Sequence, residues 1–168
     1  MNGRKKRWLM LVFVIIFHCG LTPSYGKSLV DTAIAEIGNG EIEANNKGKY
    51  VKLYNKDLEA SWCAGFVSYC LKKAGITSFG YELSARKIYN KGKELNILLK
   101  KPHAGCLIVF WRSKPTSWKG HIGIVEKVDN EYIHTIEGNV GKYPAKVKRF
   151  KYKKDSVPRL LGYIKVGE

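Results

Sequence analysis

The sequence predicts an α+β fold in which N-terminal helices pack on a C-terminal antiparallel β-sheet of about five strands. Three observations lead there. Before Pro102 the apolar residues recur at helical spacing, after it they alternate, and the period changes once. The length, 168 residues, suits one domain with a substantial core. No internal repeat or second domain is apparent.

The first stretch stands apart from that domain. Arg4, Lys5, Lys6 and Arg7 form a basic region, residues 8–17 an apolar one, and Ser24-Tyr25-Gly26 places small residues where a signal peptidase reads. Residues 1–26 are therefore expected to be a signal peptide, leaving residues 27–168 as a single domain, exported to a periplasmic or extracellular location. The apolar run is shorter than the roughly 20 residues that span a bilayer, so no stable membrane insertion is expected. Cys19 is an alternative lipidation site, but His18 before it matches poorly the small residue such sites prefer.

The net charge is +16, and subtracting the four basic leader residues leaves +12. Such a balance attracts polyanions. Export, dispersed charges and the lack of a zinc-finger or helix-turn-helix pattern exclude nucleic acid, leaving anionic lipid or an anionic cell envelope. The densest cluster, Lys146, Lys148, Arg149, Lys151, Lys153 and Lys154, alternates with apolar residues as the solvated face of a late strand does. A monomer is expected.

Residues 29–37 predict a first helix with Ser28 as N-cap and Gly38 ending it. A polar, turn-rich segment follows, and Tyr50, Val51, Leu53 and Tyr54 then predict a short second helix. In the third, Trp62, Phe66, Val67, Cys70, Leu71 and Ala74 form one broad apolar face that Gly75 stops, with Ser61 placed as N-cap. Residues 83–89 predict a fourth. Beyond Pro102, strands are expected at about residues 106–111, 122–128, 132–137, 146–152 and 160–166.

Beyond the leader the cysteines are Cys63, Cys70 and Cys106, an odd number, so at least one thiol is unpaired within the chain. Cys63 falls in the first turn of the third helix. There, unsatisfied backbone N–H groups and the positive dipole end favour thiolate over thiol, which makes it the candidate nucleophile. Cys70, two turns on, reads as core. Spacing leaves a Cys70–Cys106 disulfide open.

His121 opens the second strand and Glu137 closes the third. A three-residue hairpin loop with Asn130 in the left-handed position would set Val125 opposite Ile133, Gly123 opposite Thr135 and His121 opposite Glu137 on one face, with Asn139 continuing along it. A two-residue loop would shift the pairing by one and send Glu137 to the other face. Thiol, imidazole and carboxylate at one place are the parts of an acyl-transfer site: His121 takes the Cys63 proton, the thiolate attacks an amide carbonyl, and the imidazolium protonates the leaving amine. Glu137 would fix the ring's tautomer. Asn139 would share that task or aim an amide at the oxyanion, beside the Cys63 backbone N–H. For substrate contacts, Trp118 in the loop before His121 is the best cleft-wall candidate; Trp62, Asn45 and Asn46 are further candidates, though core packing explains Trp62 and turn formation the asparagines. His103 and His134 have no comparable setting.

Residues 62–76, WCAGFVSYCLKKAGI, followed by a GHIGIVE strand and then IEGN, resemble the CHAP family, the cysteine- and histidine-dependent amidohydrolases and peptidases with a papain-like fold. The likeness runs from about Ala33 to Ile164 and includes the LLGYI ending. It implies Cys63 as nucleophile, His121 as base, Glu137 and Asn139 as the orienting pair, and peptidoglycan, its glycan or stem peptide, as substrate. Ala104-Gly105-Cys106 stands where the family usually carries Pro-Gly-Asp, and the Asp-rich calcium loop of some phage lysins is absent, so neither metal nor cofactor is expected. Cleavage would fall on the N-acetylmuramoyl-L-alanine amide or within the peptide. A catalytically inactive wall-binding module and a thiol acyltransferase are the alternatives on the same residues.

Overall fold

A computed structural model describes residues 28–167; the expected leader and Cys19 lie outside the described residues. Among them, no helix is long and apolar enough to cross a membrane.

Four helices precede the main sheet. The first, α1 (Leu29–Ala35), starts at Ser28, whose Oγ accepts from the Asp31 backbone N–H at 3.1 Å. Next come α2 (Lys49–Asn55), α3 (Cys63–Lys73) and α4 (Ala85–Glu94), the last capped by Ser84 and longer than the sequence suggested. Ser61 is not the cap of α3. Trp62 occupies that position without a side-chain cap, because the Asn55 Nδ2 donates to the Ala60 carbonyl at 2.9 Å and to that of Ser61 at 3.4 Å, so the turn into the helix falls one residue later. Cys63 thereby becomes the first helical residue. A left-handed Gly75, φ +77°, ends the helix as expected, with the Ile76 N–H reaching back to the Leu71 carbonyl at 2.9 Å.

The strands β1 (Leu98–Leu99), β2 (Leu107–Trp111), β3 (Gly120–Val128), β4 (Tyr132–Glu137), β5 (Lys148–Lys153) and β6 (Leu160–Ile164) form one antiparallel sheet in the order β1-β6-β2-β3-β4-β5. Five match the expected strands. The sixth, β1, has two residues, too few to show alternation, and exists because β6 pairs with it at Leu98↔Ile164.

Alternation divides the sheet between two cores. Leu107, Val109, Ile122, Ile124 and Ile136 face the helices and meet Trp62, Phe66, Val67 and Leu71. Ile108, Phe110, Val125, Ile133 and Tyr163 fill the other face. Each fully buried large side chain contributes about 1.5–3 kcal/mol. On that second face the rings of Phe110 in β2 and Tyr152 in β5 lie 5.2 Å apart, although three strand spacings of about 4.8 Å separate their strands. The sheet therefore curls toward this face. Cys70 and Cys106 lie in opposite cores and are both free, so they form no disulfide.

The β3–β4 hairpin departs from the expected register twice, and the departures cancel. The Asp129 N–H bonds to the Tyr132 carbonyl at 3.0 Å, closing a two-residue loop, and Asn130 is not left-handed. That loop alone would send Glu137 to the wrong face. A β-bulge between Val125 and Lys127 shifts the register again, giving Val128↔Ile133 near the turn but Val125↔Thr135 and Ile124↔Ile136 beyond it. His121 and Glu137 thus share a face as diagonal neighbours, not as the directly opposed pair expected.

Candidate active site

Cys63 begins α3, and the second residue of β3 is His121. By alternation His121, Gly123, Thr135 and Glu137 lie on the face away from the helices, so thiol and imidazole meet at the start of β3 rather than across an open sheet face. Two glycines permit the meeting. A Cβ at Gly138 would lie 2.5 Å from Trp62 Cζ3, so the sheet presses directly on the residue before the thiol. At Gly123, a Cβ would lie 2.5 Å from Glu137 Cγ, so only glycine leaves the carboxylate a path to His121.

The carboxylate is fully buried and satisfied. His121 Nε2 lies 2.7 Å from Glu137 Oε2, while the Thr135 hydroxyl donates to Oε1 at 2.5 Å and the Tyr152 hydroxyl at 2.9 Å. The Phe110 ring stacks on the imidazole with centroids 5.8 Å apart. With Nε2 committed to Glu137, Nδ1 is the nitrogen left to face Cys63, whose thiol and the ring favour each other's charged forms. Sequence reasoning missed Thr135 and Tyr152 as supports of Glu137. Thr135 was legible as a same-face neighbour two residues before it; Tyr152 was not, because its strand reaches Glu137 only through pairing.

The three thiols are all buried, yet they ionise differently. Burial is the largest influence on each and disfavours the thiolate. It pushes Cys106 up to about 11, and with the charge of Glu36 drives Cys70 higher still. At Cys63 burial is outweighed by the His121 hydrogen bond and charge, with smaller help from Arg112 and the Ile122 backbone, so its thiol falls below the ordinary value. His121 responds in kind. Burial opposes its charged form, but the hydrogen bonds from Cys63 and Glu137 prevail and push it up to about 9. The two shifts run toward each other, thiol down and imidazole up, and so favour a thiolate beside an imidazolium.

Cys63 and His121 open into a cleft of about 480 Å³, walled by Trp118, Asn45, Asn46 and Asn139. Trp118 is 77 % exposed, as a cleft-wall aromatic should be. Trp62 does not line the cleft. It is fully buried between Tyr54, its ring centroid 5.6 Å away, and Gly138, and its Nε1 donates to Glu41 at 3.3 Å, which corrects its expected contact with substrate. Asn139, left-handed at φ 60°, makes no side-chain hydrogen bond to His121 or Glu137. Among the described residues, the ring's hydrogen-bond partner is Glu137.

Glu41 was not anticipated. Its fully buried carboxylate accepts from the backbone N–H of Asn46 at 2.8 Å, from that of Ala145 at 2.8 Å and from Trp62, tying a cleft wall to the approach to Cys63. An acidic residue in a polar, turn-rich segment carries no sign of burial. Among the described residues no group of three or more His, Cys, Asp or Glu has the arrangement of a metal site.

A curled antiparallel sheet behind helices, with a thiol on a helix N-terminus and a histidine–carboxylate pair at a strand start, defines a papain-like α+β domain. The family model of the CHAP domain matches residues 54–139, from α2 through the thiol helix to Asn139, and the chain belongs to that family. Two crystal structures of Ly7917 share the fold at 20% identity, one of them with the hydrolyzing product of MDP. Their TM-scores are 0.51 and 0.52, over 82% and 83% of this chain and 61% of each of theirs. This chain thus spans less than two thirds of the length of those proteins. No curated protein matches it.

Proposed function

We propose that this protein is a peptidoglycan amidohydrolase that works through a Cys63 thiolate. The observation that carries the reading is the buried Cys63–His121–Glu137 relay opening on the cleft beside Trp118 and Asn139. In the resting site the Cys63 proton resides on His121. The thiolate attacks the amide carbonyl, forming the C–S bond while the carbonyl electrons move to oxygen. The resulting oxyanion is met by the Cys63 backbone N–H and by the Asn139 amide, which Glu137 leaves free by orienting the ring alone. As the intermediate collapses, the imidazolium gives its proton to the departing amine. His121 then takes a proton from water, the hydroxide adds to the thioester, and breaking the C–S bond releases the acid and restores the thiolate beside the imidazolium.

Membership of the CHAP family supports amide hydrolysis, and the Ly7917 crystal with the hydrolyzing product of MDP supports a muramoyl peptide as substrate. The exported location expected of residues 1–26 and the net charge of +16 suit an anionic envelope. The lowered Cys63 thiol argues for turnover over a merely binding groove, since a groove that only binds has no use for a thiolate. Digestion of purified peptidoglycan with mass analysis of the released fragments tests the reading. Sugar-free peptides identify an amidase and shortened stems an endopeptidase. No fragments from the wild-type protein, or fragments still released by Cys63→Ala, would defeat it.

A further inference from the structure

The cleft beside Cys63 is lined by two cations, Arg112 and Lys119, and by no acidic side chain. Some cations elsewhere on the surface have partners within the chain. Arg149 forks onto Glu126 with its Nη2 at 2.8 Å, Lys47 and Lys52 share Glu59 at 3.3 and 3.4 Å, and Arg86 donates to the Pro115 carbonyl at 2.6 Å. The Arg112 guanidinium has no hydrogen-bond or ion-pair partner among the described residues. It lines the same cleft as Cys63, and its charge favours the thiolate. The Glu137 carboxylate is already engaged by His121, Thr135 and Tyr152 and makes no ion pair with it.

The two cations are held by the same short turn. Trp111↔Gly120 is the last pair of the β2–β3 ladder, and beyond it the Arg112 N–H bonds to the Lys119 carbonyl at 3.1 Å. Within the turn the Lys114 N–H reaches the Arg112 carbonyl at 2.9 Å, the Ser117 N–H reaches that of Lys114 at 2.9 Å, and the Ser117 hydroxyl accepts from the Lys119 N–H at 3.0 Å. Lys119 Nζ also sits 5.5 Å from the centre of the Trp118 ring. The cations and the cleft-wall aromatic thus have an ordered backbone, which reduces the conformational entropy a ligand would have to remove. An unpaired guanidinium is suited to a carboxylate, whose two oxygens match its N–H donors.

We propose that Arg112, assisted by Lys119, forms a carboxylate subsite that selects substrates with a free carboxylate near the scissile amide. This rests on the amidohydrolase reading and specifies its substrate class: stem peptides whose side or α-carboxyl is free, in preference to those in which it is a carboxamide.

The probes are a short muramoyl peptide ending in D-glutamate and the same peptide with both carboxyls of that residue as carboxamides, titrated calorimetrically into the Cys63→Ala protein. The free acid is expected to bind about tenfold more tightly, the factor that corresponds to 1.4 kcal/mol. Adding Arg112→Gln should bring the ratio to about one, and Arg112→Lys, which keeps the charge but loses the fork, to an intermediate value. Circular dichroism of each variant confirms that the fold persists. Equal binding of the two probes to Cys63→Ala, binding of neither, or a preference that survives Arg112→Gln overturns the subsite. Wild-type digestion of peptidoglycan, run in parallel, separates the two ideas: fragments released with no probe preference sink only the subsite, whereas no fragments at all sink the amidohydrolase.

Discussion

Two histidines in this molecule hold a carboxylate at almost the same distance. His121 Nε2 lies 2.7 Å from Glu137 at the start of β3, and His134 Nε2 lies 2.6 Å from Asp129 at the β3–β4 turn. Their surroundings differ in every other respect. Glu137 is fully buried and bonded by two hydroxyls, its histidine is 5 % exposed, and a thiol waits on the far side of the ring. Asp129 is exposed; His134 and the backbone N–H groups of Tyr132 and Glu131 draw it down to about 2, and no thiol is near. A histidine beside a carboxylate therefore marks no function. What makes one pair reactive is exclusion of water together with a third group able to exchange a proton with the ring.

That contrast breaks first if the buried relay proves dispensable. Cys63→Ala and His121→Ala should each lower peptidoglycan digestion by at least about 10³-fold while far-UV circular dichroism stays native. The thiol itself reports the coupling. Its alkylation should proceed at pH values below the ordinary thiol range, because His121 favours the thiolate; in His121→Ala burial is opposed only by Arg112 and the Ile122 backbone, and the acid limb should move upward.

Next in size is Glu137→Gln, which keeps a ring acceptor but removes its charge. We expect kcat to fall by about 10²–10³-fold. The pH profile gives the sign. The imidazolium is the acid that protonates the leaving amine, so wild-type kcat/KM should decline as pH rises through about 9, the value to which His121 is pushed. Loss of Glu137's charge removes one of the influences raising it, so in Glu137→Gln the alkaline limb should move to lower pH. The limbs belong to the coupled pair.

Smaller still, and mainly on stability, is Glu41→Ala. It leaves the N–H groups of Asn46 and Ala145 and the Trp62 indole without their acceptor, at about 1–3 kcal/mol for each buried donor that finds no other. A lowered Tm and a raised KM are expected, from thermal melts and initial rates, because the asparagine wall and the approach to Cys63 lose their shared anchor. Least affected should be Asp129→Asn. Digestion within about twofold of wild type is expected, since a solvated pair makes little difference; a large loss would erase the distinction between the two pairs.

Much of the fold was legible in local pattern. The helical run ending at Gly75 fixed α3, and alternation after Pro102 located every strand long enough to alternate. Of the site, Cys63, His121, Glu137, Asn139, Trp118 and Asn45 could all be picked from residue type and spacing, and all lie at or beside the cleft. Trp62 could not be sorted, because an indole looks the same in sequence whether it faces a sugar or a core. The hairpin register failed for a physical reason: a β-bulge adds a residue without altering the pattern of apolar positions at either end.

By itself the sequence determined the periods, the helix end at Gly75 and the chemical kinds of side chain present, because these depend on neighbours a few residues apart. Only the tertiary structure decided which of three buried thiols is drawn toward ionisation, which residue orients His121, and that Thr135, Tyr152 and Glu41 hold the site together. Those outcomes depend on burial and on charges brought close by strand pairing. Neither is set until residues far apart along the chain have excluded the water between them.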